Sequence, residues 1–278
     1  MHRVIETVAA AAPEIRGGLA GRRVYDTAEN PSGEQQLAAD VYADDLLEER
    51  ILALDSVAAY ASEEREEMTV ASDEGLHVAC DPLDGSSNLK SNNAMGTIVG
   101  VYDTPLPAPG RDLVASAFVL YGPITTMTVA HEGEVTEYVI DDDGETTAVT
   151  EALTLPSEPV VYGFGGRVPD WPDAFESYAR EIERELKLRY GGAMIADVNQ
   201  VLEYGGIFAY PGLDSAPNGK LRLQFEGNPI AHVVETAGGA SSDGEQSLLD
   251  VEPDGLHQRV PVHVGNESLV DRLEAVLA

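Results

Sequence analysis

Lysine is almost missing from this sequence: Lys90, Lys187 and Lys220 are the only three, and 17 bases in all face 49 acids, a formal charge of −32. That imbalance excludes nucleic acid as a partner, because a phosphate backbone is bound by bases that displace its counterions. Cysteine is as scarce. Cys80 is alone, so no intrachain disulfide can form. It sits in an apolar run just before an acidic turn, the setting of a buried strand residue rather than a reactive thiol. Long hydrophobic runs are also missing. No stretch approaches the roughly 20 apolar residues that span a bilayer, and Met1-His2-Arg3-Val4-Ile5-Glu6 lacks the apolar core of a leader. The chain therefore reads as cytoplasmic, without a membrane partner.

What remains is the composition of a folded protein. Hydrophobic residues make up 43% and charged residues 24% of 278, enough chain for one large α/β domain or two halves sharing an interface. The acids are spread along the whole length. Such a surface repels itself unless concentrated salt screens it, the Debye length falling to about 3 Å at 1 M, so the composition points to a very salty cytosol. An isolated Asp or Glu here is a solvated surface carboxylate, and only spacing and context lift one above that background.

Periodicity divides the chain into recognisable elements. A first helix covers 3–17, and a poorly periodic, glycine-containing segment follows at 17–33. Ser32 and Gln35 form a capping-box pattern opening a helix to about residue 54. Short apolar runs at 57–61, 76–80, 96–102 and 113–121 read as strands, and 125–130 and 135–140 as a hairpin around Glu132-Gly133. The polar stretch 141–159 marks the boundary between an N-terminal half, 1–156, and a C-terminal half, 157–278. Beyond it come a strand at 160–164 and a helix at 172–190 with Trp171, Phe175, Tyr178, Ile182 and Leu186 on one face, stopped by Gly191-Gly192. A helix at 194–203, strands at 206–210 and 220–226, and a helix at 229–236 capped by Asn228 complete the pattern.

The densest chemistry is Asp81-Pro82-Leu83-Asp84-Gly85-Ser86-Ser87-Asn88, directly after a strand. Two carboxylates three residues apart at a strand end, with the Leu83 carbonyl in the turn between them, suit a hard cation. Gly85, Ser86 and Ser87 then offer successive N–H groups and two hydroxyls to a phosphate. Glu63-Glu64 stands at the end of another strand, where α/β sheets place ligands. In Lys220-Leu221-Arg222-Leu223-Gln224-Phe225-Glu226, strand alternation sets Lys220, Arg222, Gln224 and Glu226 on one face and the apolar residues on the other. The six histidines show no zinc-protease spacing.

Together "DPLDGSSN" and "YGGIFAYP…GKLRLQFEGNP" resemble the class I fructose-1,6-bisphosphatase family, within the wider inositol monophosphatase-like phosphatases, over residues 34–103 and 189–265. The resemblance implies a layered α-β-α-β-α sandwich of the sugar phosphatase type, with the metal site between the halves. It implies two or more Mg²⁺ ions per subunit, held by Glu63, Asp81, the Leu83 carbonyl, Asp84 and Glu226. Glu64, Asp40 and Glu34 become the catalytic acids, the last two on or beside a loop at 21–39. Asp84, Gly85, Ser86, Ser87 and Asn88 would hold the phosphate to be cleaved, Tyr190, Tyr210 and Lys220 a distant 6-phosphate, and Arg189 the 6-phosphate of a neighbouring subunit in a homotetramer or homodimer. The chain departs from the family at Gly165-Gly166-Arg167, where the family places an Asn and a Tyr, and Arg167, whose guanidinium suits phosphate, is the candidate replacement. The implied reaction is Mg²⁺-dependent hydrolysis of the 1-phosphate of fructose 1,6-bisphosphate. Sedoheptulose bisphosphate or an inositol phosphate is the alternative substrate, and a non-catalytic phosphosugar-binding scaffold the alternative class.

The charge makes a direct prediction. The melting temperature should rise as KCl goes from about 0.1 M to about 3 M, and a flat profile over that range would contradict a surface built for salt.

Overall fold

The runs at 95–102 and 113–121 are apolar or small at nearly every position, the mark of strands covered on both faces. Such strands need a layer of helices or a second sheet on each side, and the structure supplies both. A computed structural model describes residues 1–23, 25–29 and 35–278, with the backbone course alone for 25–29 and 35–36. The N-terminal half holds helix α1 (Arg3–Gly18), strands β1 (Tyr25–Glu29) and β2 (Gln35–Leu37), and helix α2 (Ala38–Leu52). Strands β3 (Val57–Ser62), β4 (Thr69–Val70) and β5 (Leu76–Asp84) follow, then the one-turn helix α3 (Asn88–Ser91). Strands β6 (Met95–Tyr102), β7 (Leu113–Tyr121), β8 (Thr125–His131), β9 (Glu134–Ile140) and β10 (Thr146–Thr150) complete that half. The C-terminal half runs through β11 (Val161–Phe164), α4 (Asp173–Glu185), β12 (Lys187–Leu188), α5 (Met194–Tyr204), β13 (Gly206–Tyr210) and β14 (Leu221–Arg222). It ends with α6 (Asn228–Thr236), β15 (Ala240–Ser242), β16 (Arg259–Val260), β17 (Val262–Gly265) and α7 (Glu267–Leu277).

An eight-stranded sheet in the order β10-β9-β8-β7-β6-β5-β3-β4 and a five-stranded sheet in the order β12-β11-β13-β17-β15 form two of the layers. Val4, Val8 and Ile15 of α1 and Leu47 and Ile51 of α2 pack against Val78, Val99, Val101 and Ala117 on one face of the large sheet. Its other face, with Ala79, Ile98 and Phe118, meets Ile195 and Val198 of α5, Ile230 and Val234 of α6, and Phe208 and Val264 of the small sheet. Phe175 and Tyr178 of α4 and Leu269 and Leu273 of α7 cover the outer face through Tyr162, Phe164, Ile207 and Ala209. The layering is thus α-β-α-β-α, as the resemblance implied. Among the described residues no helix is long and apolar enough to cross a membrane.

Four local expectations are overturned. Helix α2 begins at Ala38, because the Asp40 carboxylate accepts the Leu37 N–H at 2.7 Å and caps the first turn, while 35–37 pairs with β1. Ser32 and Glu34, with the other residues of 30–34 and residue 24, lie outside the described residues. Helix α4 stops at Glu185 and not at Gly191-Gly192. The edge of the small sheet offers free carbonyls, so Lys187 N–H turns to Val160 O at 2.9 Å and Arg189 N–H to Tyr162 O at 2.8 Å. Only Leu221 and Arg222 of the 220–226 run are strand, and Leu223–Gly227 forms one π-helical turn leading into α6. The expected polar and apolar faces therefore dissolve: Leu223, Gln224 and Phe225 are all fully buried, with Arg222 2% and Glu226 5% exposed. Asn228 consequently lies inside α6 and caps nothing; its amide donates to Ala108 O instead.

Gly96 marks the tightest contact in the large sheet, since a Cβ there would lie 1.8 Å from the Val119 carbonyl oxygen on β7. Gly96→Ala should force β6 and β7 apart and cost about 1–3 kcal/mol, the usual range for overpacking. Thermal unfolding of the variant checks this, and an unchanged midpoint would show that the sheet gives way freely.

Candidate active site

Parallel strands β3 and β5 are neighbours, with Ser62 opposite Cys80, so the residues that follow them emerge at one edge. Glu63 continues from β3, its N–H bonded to Cys80 O at 3.0 Å, and Asp81 and Asp84 end β5. The π-turn then brings Glu226 from the other half. Carboxylate oxygens of Glu63, Asp81 and Glu226 all lie within 4.8 Å of one another, and this is the one such group among the described residues. The arrangement is held from beneath. Arg222, 2% exposed, places Nη1 3.2 Å from Glu63 Oε1, and its N–H donates to Glu226 Oε2 at 2.6 Å. Leu83 N–H donates to Asp81 Oδ1 at 2.9 Å. Asp84 turns to the start of α5 and accepts the Ile195 N–H at 2.9 Å, where the helix dipole favours an anion.

Gly85 lets the chain turn at φ 72°, and a Cβ there would collide with Ala193 at 2.2 Å. Past it, the N–H groups of Gly85, Ser86 and Ser87 donate to no backbone carbonyl among the described residues, which leaves them for a ligand. Asn88 is built differently. Its N–H is bonded to Gly85 O at 2.8 Å, and its side-chain amide to Ala94 O and Gly191 O, both at 2.8 Å. It braces the turn, and these donors are already engaged. Asp40 is 3% exposed and faces the Ser86 hydroxyl and Glu63 from the first turn of α2.

The electrostatics are those of like charges brought together out of water. Burial, then repulsion from Glu63, Asp84 and Glu226, pushes Asp81 well above the ordinary carboxylate range. Glu226 rises for the same reasons, burial first and Glu63 next, against the opposing pull of Arg222. Asp84 is pushed up to about 7, chiefly by burial. Asp40 reaches about 6, again by burial, opposed by the Leu37 N–H and Ser86 hydroxyl that favour its ionised form. An all-oxygen, anionic, partly desolvated donor set of this kind fits a hard divalent cation, which would replace the protons.

Residues expected at the distant phosphate stand around the end of β13. The Tyr210 ring lies over Gly165, and Trp171 Nε1 donates to Gly165 O at 2.8 Å, which fixes the turn carrying Arg167. Arg167 and Lys220 both act on the Asp170 carboxylate, which accepts from Ser215 N and Oγ. Tyr190 is pushed up to about 12 by burial and by its neighbours Tyr210, Asp197 and Asp84. Arg189 is exposed on the edge of the small sheet beside Leu188, which is 63% exposed. Glu64 acts on Asp81 from outside the buried trio, and Glu34 is outside the described residues.

Sequence reading missed Asp197. It is buried in α5, accepts the Gly191 N–H at 2.6 Å, is pushed up to about 7 by burial, and holds the turn between Tyr190 and the carboxylates. An acid in a helix's first turn carries no mark of burial, so no local signal distinguished it. Arg222 was visible as a scarce base, but its burial between two acids was not.

A sandwich of two sheets that brings acids from both halves together beside the 85–87 turn is the architecture of the sugar phosphatase class. The family model described as fructose-1-6-bisphosphatase, N-terminal domain, matches residues 9–151, and the one for the C-terminal domain matches 155–278. A class 1 fructose-1,6-bisphosphatase of Natronomonas pharaonis is 64% identical over 275 residues, covering 99% of this chain and 97% of that one. One from Haloarcula marismortui is 56% identical over 272 residues, covering 98% and 93%. The crystal structure of Leishmania major fructose-1,6-bisphosphatase in holo form superposes with a TM-score of 0.91 at 30% identity, covering 98% and 92%. The chain belongs to the fructose-1,6-bisphosphatase family, class 1.

Because folding raises the Asp81 pKa, the stability it contributes without a cation is full at low pH and lost as pH climbs above the ordinary carboxylate range. In EDTA at about pH 8, Asp81→Asn should therefore melt above the wild type, and the two should converge near pH 4, close to the unperturbed value. An Asn variant that melts lower at both pH values would show that repulsion does not dominate this cluster.

Proposed function

We propose that this enzyme hydrolyses the 1-phosphate of fructose 1,6-bisphosphate to fructose 6-phosphate and inorganic phosphate in the cytoplasm. The observation that carries this reading is the convergence of Glu63, Asp81 and Glu226 within 4.8 Å beside the 85–87 turn, whose N–H groups donate to no backbone carbonyl among the described residues. In this reading Glu63, Asp81, the Leu83 carbonyl, Asp84 and Glu226 hold two or more Mg²⁺ ions. When bound, the cations draw charge from the phosphoryl oxygens and from the departing sugar oxygen.

The chain's own groups do the rest. Gly85, Ser86 and Ser87 orient the phosphate through N–H and hydroxyl donors, with Asn88 keeping the turn in shape. Water attacks phosphorus opposite the sugar oxygen, the bond from phosphorus to that oxygen breaks, and the sugar oxygen leaves with a proton. Glu64 accepts the water's proton, and Asp40, raised to about 6, can exchange one near neutrality. Glu34 belongs to the same group of acids. Tyr190, Tyr210, Lys220 and Arg167 receive the 6-phosphate, where a guanidinium gives a two-pronged grip. The N-terminal half, 1–156, thus supplies most of the metal site and the C-terminal half, 157–278, the distal one. The exposed Leu188 and Arg189 on a sheet edge support a homo-oligomer, in which Arg189 serves a neighbouring subunit.

The test is phosphate release from fructose 1,6-bisphosphate, sedoheptulose bisphosphate and inositol phosphates, with and without Mg²⁺, in molar KCl. Fructose 1,6-bisphosphate should be preferred. Asp84→Asn and Glu64→Gln should each lose at least ~10²-fold in kcat, the low end for a catalytic group, and full activity in either, or in EDTA, would remove these roles. Lys220→Ala and Arg167→Ala should raise KM more than they lower kcat, because they hold a remote group bound before and during reaction. A wild type that turned over fructose 1-phosphate equally well would sink the distal assignment.

A further inference from the structure

Two residues past Glu63, Arg65 grips three carboxylates of one helix. Its Nε lies 2.5 Å from Asp44 Oδ2, Nη1 2.6 Å from Glu48 Oε2, and Nη2 2.9 Å from Asp45 Oδ1. Each of the three nitrogens of the planar fork thus has its own acid, which a lysine could not reproduce. The partners are themselves tied down. Asp44 is 3% exposed and accepts the Tyr60 hydroxyl from β3 at 2.9 Å, and Glu48 accepts the Thr69 hydroxyl from β4 at 2.5 Å. Burial works against the Arg65 charge, yet Asp44 and Glu48 outweigh it and hold the guanidinium protonated.

The grip falls where the backbone offers little. Between the end of β3 and the start of β4 the chain makes a bond from Glu63 N–H to Cys80 O and a long one, 3.3 Å, from Arg65 N–H to Ser62 O. Glu64 N–H reaches the Ser62 hydroxyl at 3.1 Å, and Met68 packs on the core at the far end. Glu63 and Glu64 therefore sit on a turn with few backbone hydrogen bonds, where Glu63 faces the like charges of Asp81, Glu226 and Asp40 with Arg222 as its counter-charge. The opposite end of the clamp is the helix that carries Asp40, one turn before Asp44 and on the same face.

We propose that Arg65 is a positioning residue for the metal site, locking the Glu63-Glu64 turn to α2 so that the acids of both approach one cation centre despite their repulsion. This rests on the reading of Glu63 and Glu64 given above. Arg65 touches neither substrate nor cation; it acts by setting where two acids stand.

The experiment uses the full-length protein and compares Arg65→Ala and Arg65→Lys with Arg50→Ala. Arg50 joins α2 to α1 through Glu14 and Ala10 O, away from the site, and serves as a purely structural control. Three quantities are read: Mn²⁺ binding by electron paramagnetic resonance without substrate, the half-saturating Mg²⁺ concentration in phosphate release, and KM for fructose 1,6-bisphosphate at saturating Mg²⁺. Arg65→Ala should weaken Mn²⁺ binding and raise half-saturating Mg²⁺ by about tenfold or more, the scale of lost support behind a metal ligand, with KM little changed. Arg65→Lys, which keeps the charge but loses the fork, should fall between it and the wild type, and carries the test if the alanine variant fails to fold. Arg50→Ala should lower the melting temperature and leave both metal readouts alone. Metal readouts unchanged in Arg65→Lys and Arg65→Ala, or equally changed by Arg50→Ala, overturn the inference. A wild type that binds no Mn²⁺ overturns the metal assignment itself.

Discussion

The constraint on which this structure turns is the repulsion among Glu63, Asp81, Asp84 and Glu226. Each is at most 9% exposed, and burial raises the affinity of Asp81, Asp84 and Glu226 for protons. Left to themselves such groups would move apart into water. Backbone bonds that cannot move hold them instead: Leu83 N–H on Asp81, Ile195 N–H on Asp84, and Arg222 N–H on Glu226. A cation bound there would release the free energy stored by that arrangement, so tight packing and affinity for a cation would have the same origin.

The layered architecture explains why the cluster must span both halves. One edge of the large sheet delivers Glu63, Asp81 and Asp84, and the π-turn before α6 delivers Glu226 against that edge. Helix α5 contributes its N-terminus to Asp84, and its Asp197 holds the turn leading to Tyr190. The shared layer of α5 and α6, packed between the sheets, thus sets the distance between the acids and the end of β13.

Several of the few bases join elements distant in sequence. Arg111 ties the loop before β7 to Asp250 and Glu235, and Arg272 ties α7 to Glu181 and Glu185 on α4. Arg65 and Arg222 do the same around the acids. A guanidinium offers several donors in fixed directions, so one arginine can organise two or three carboxylates, which a lysine's single ammonium does poorly. The preference for arginine follows from the surplus of acid that each base has to serve.

Local sequence was enough for much of this. The strands at 113–121, 125–131 and 134–140, the Glu132-Gly133 turn, helix α1, and the run DPLDGSSN at a strand's end are all properties of short segments, where apolar spacing and turn chemistry act between near neighbours. The matching "GKLRLQFEGNP" tied Glu226 to the same site through resemblance. Tertiary structure decided the rest. Alternation in 220–226 was overridden because both sides of that segment are covered, which favours a π-turn over a strand. The helix at 173–185 ended early because the edge of a sheet supplied better partners than another helical turn. Asp197 looks like any other acid in the chain, Asp40 stood out only through the resemblance and Arg222 only as a scarce base, and it is packing, by removing water from them, that sets them apart.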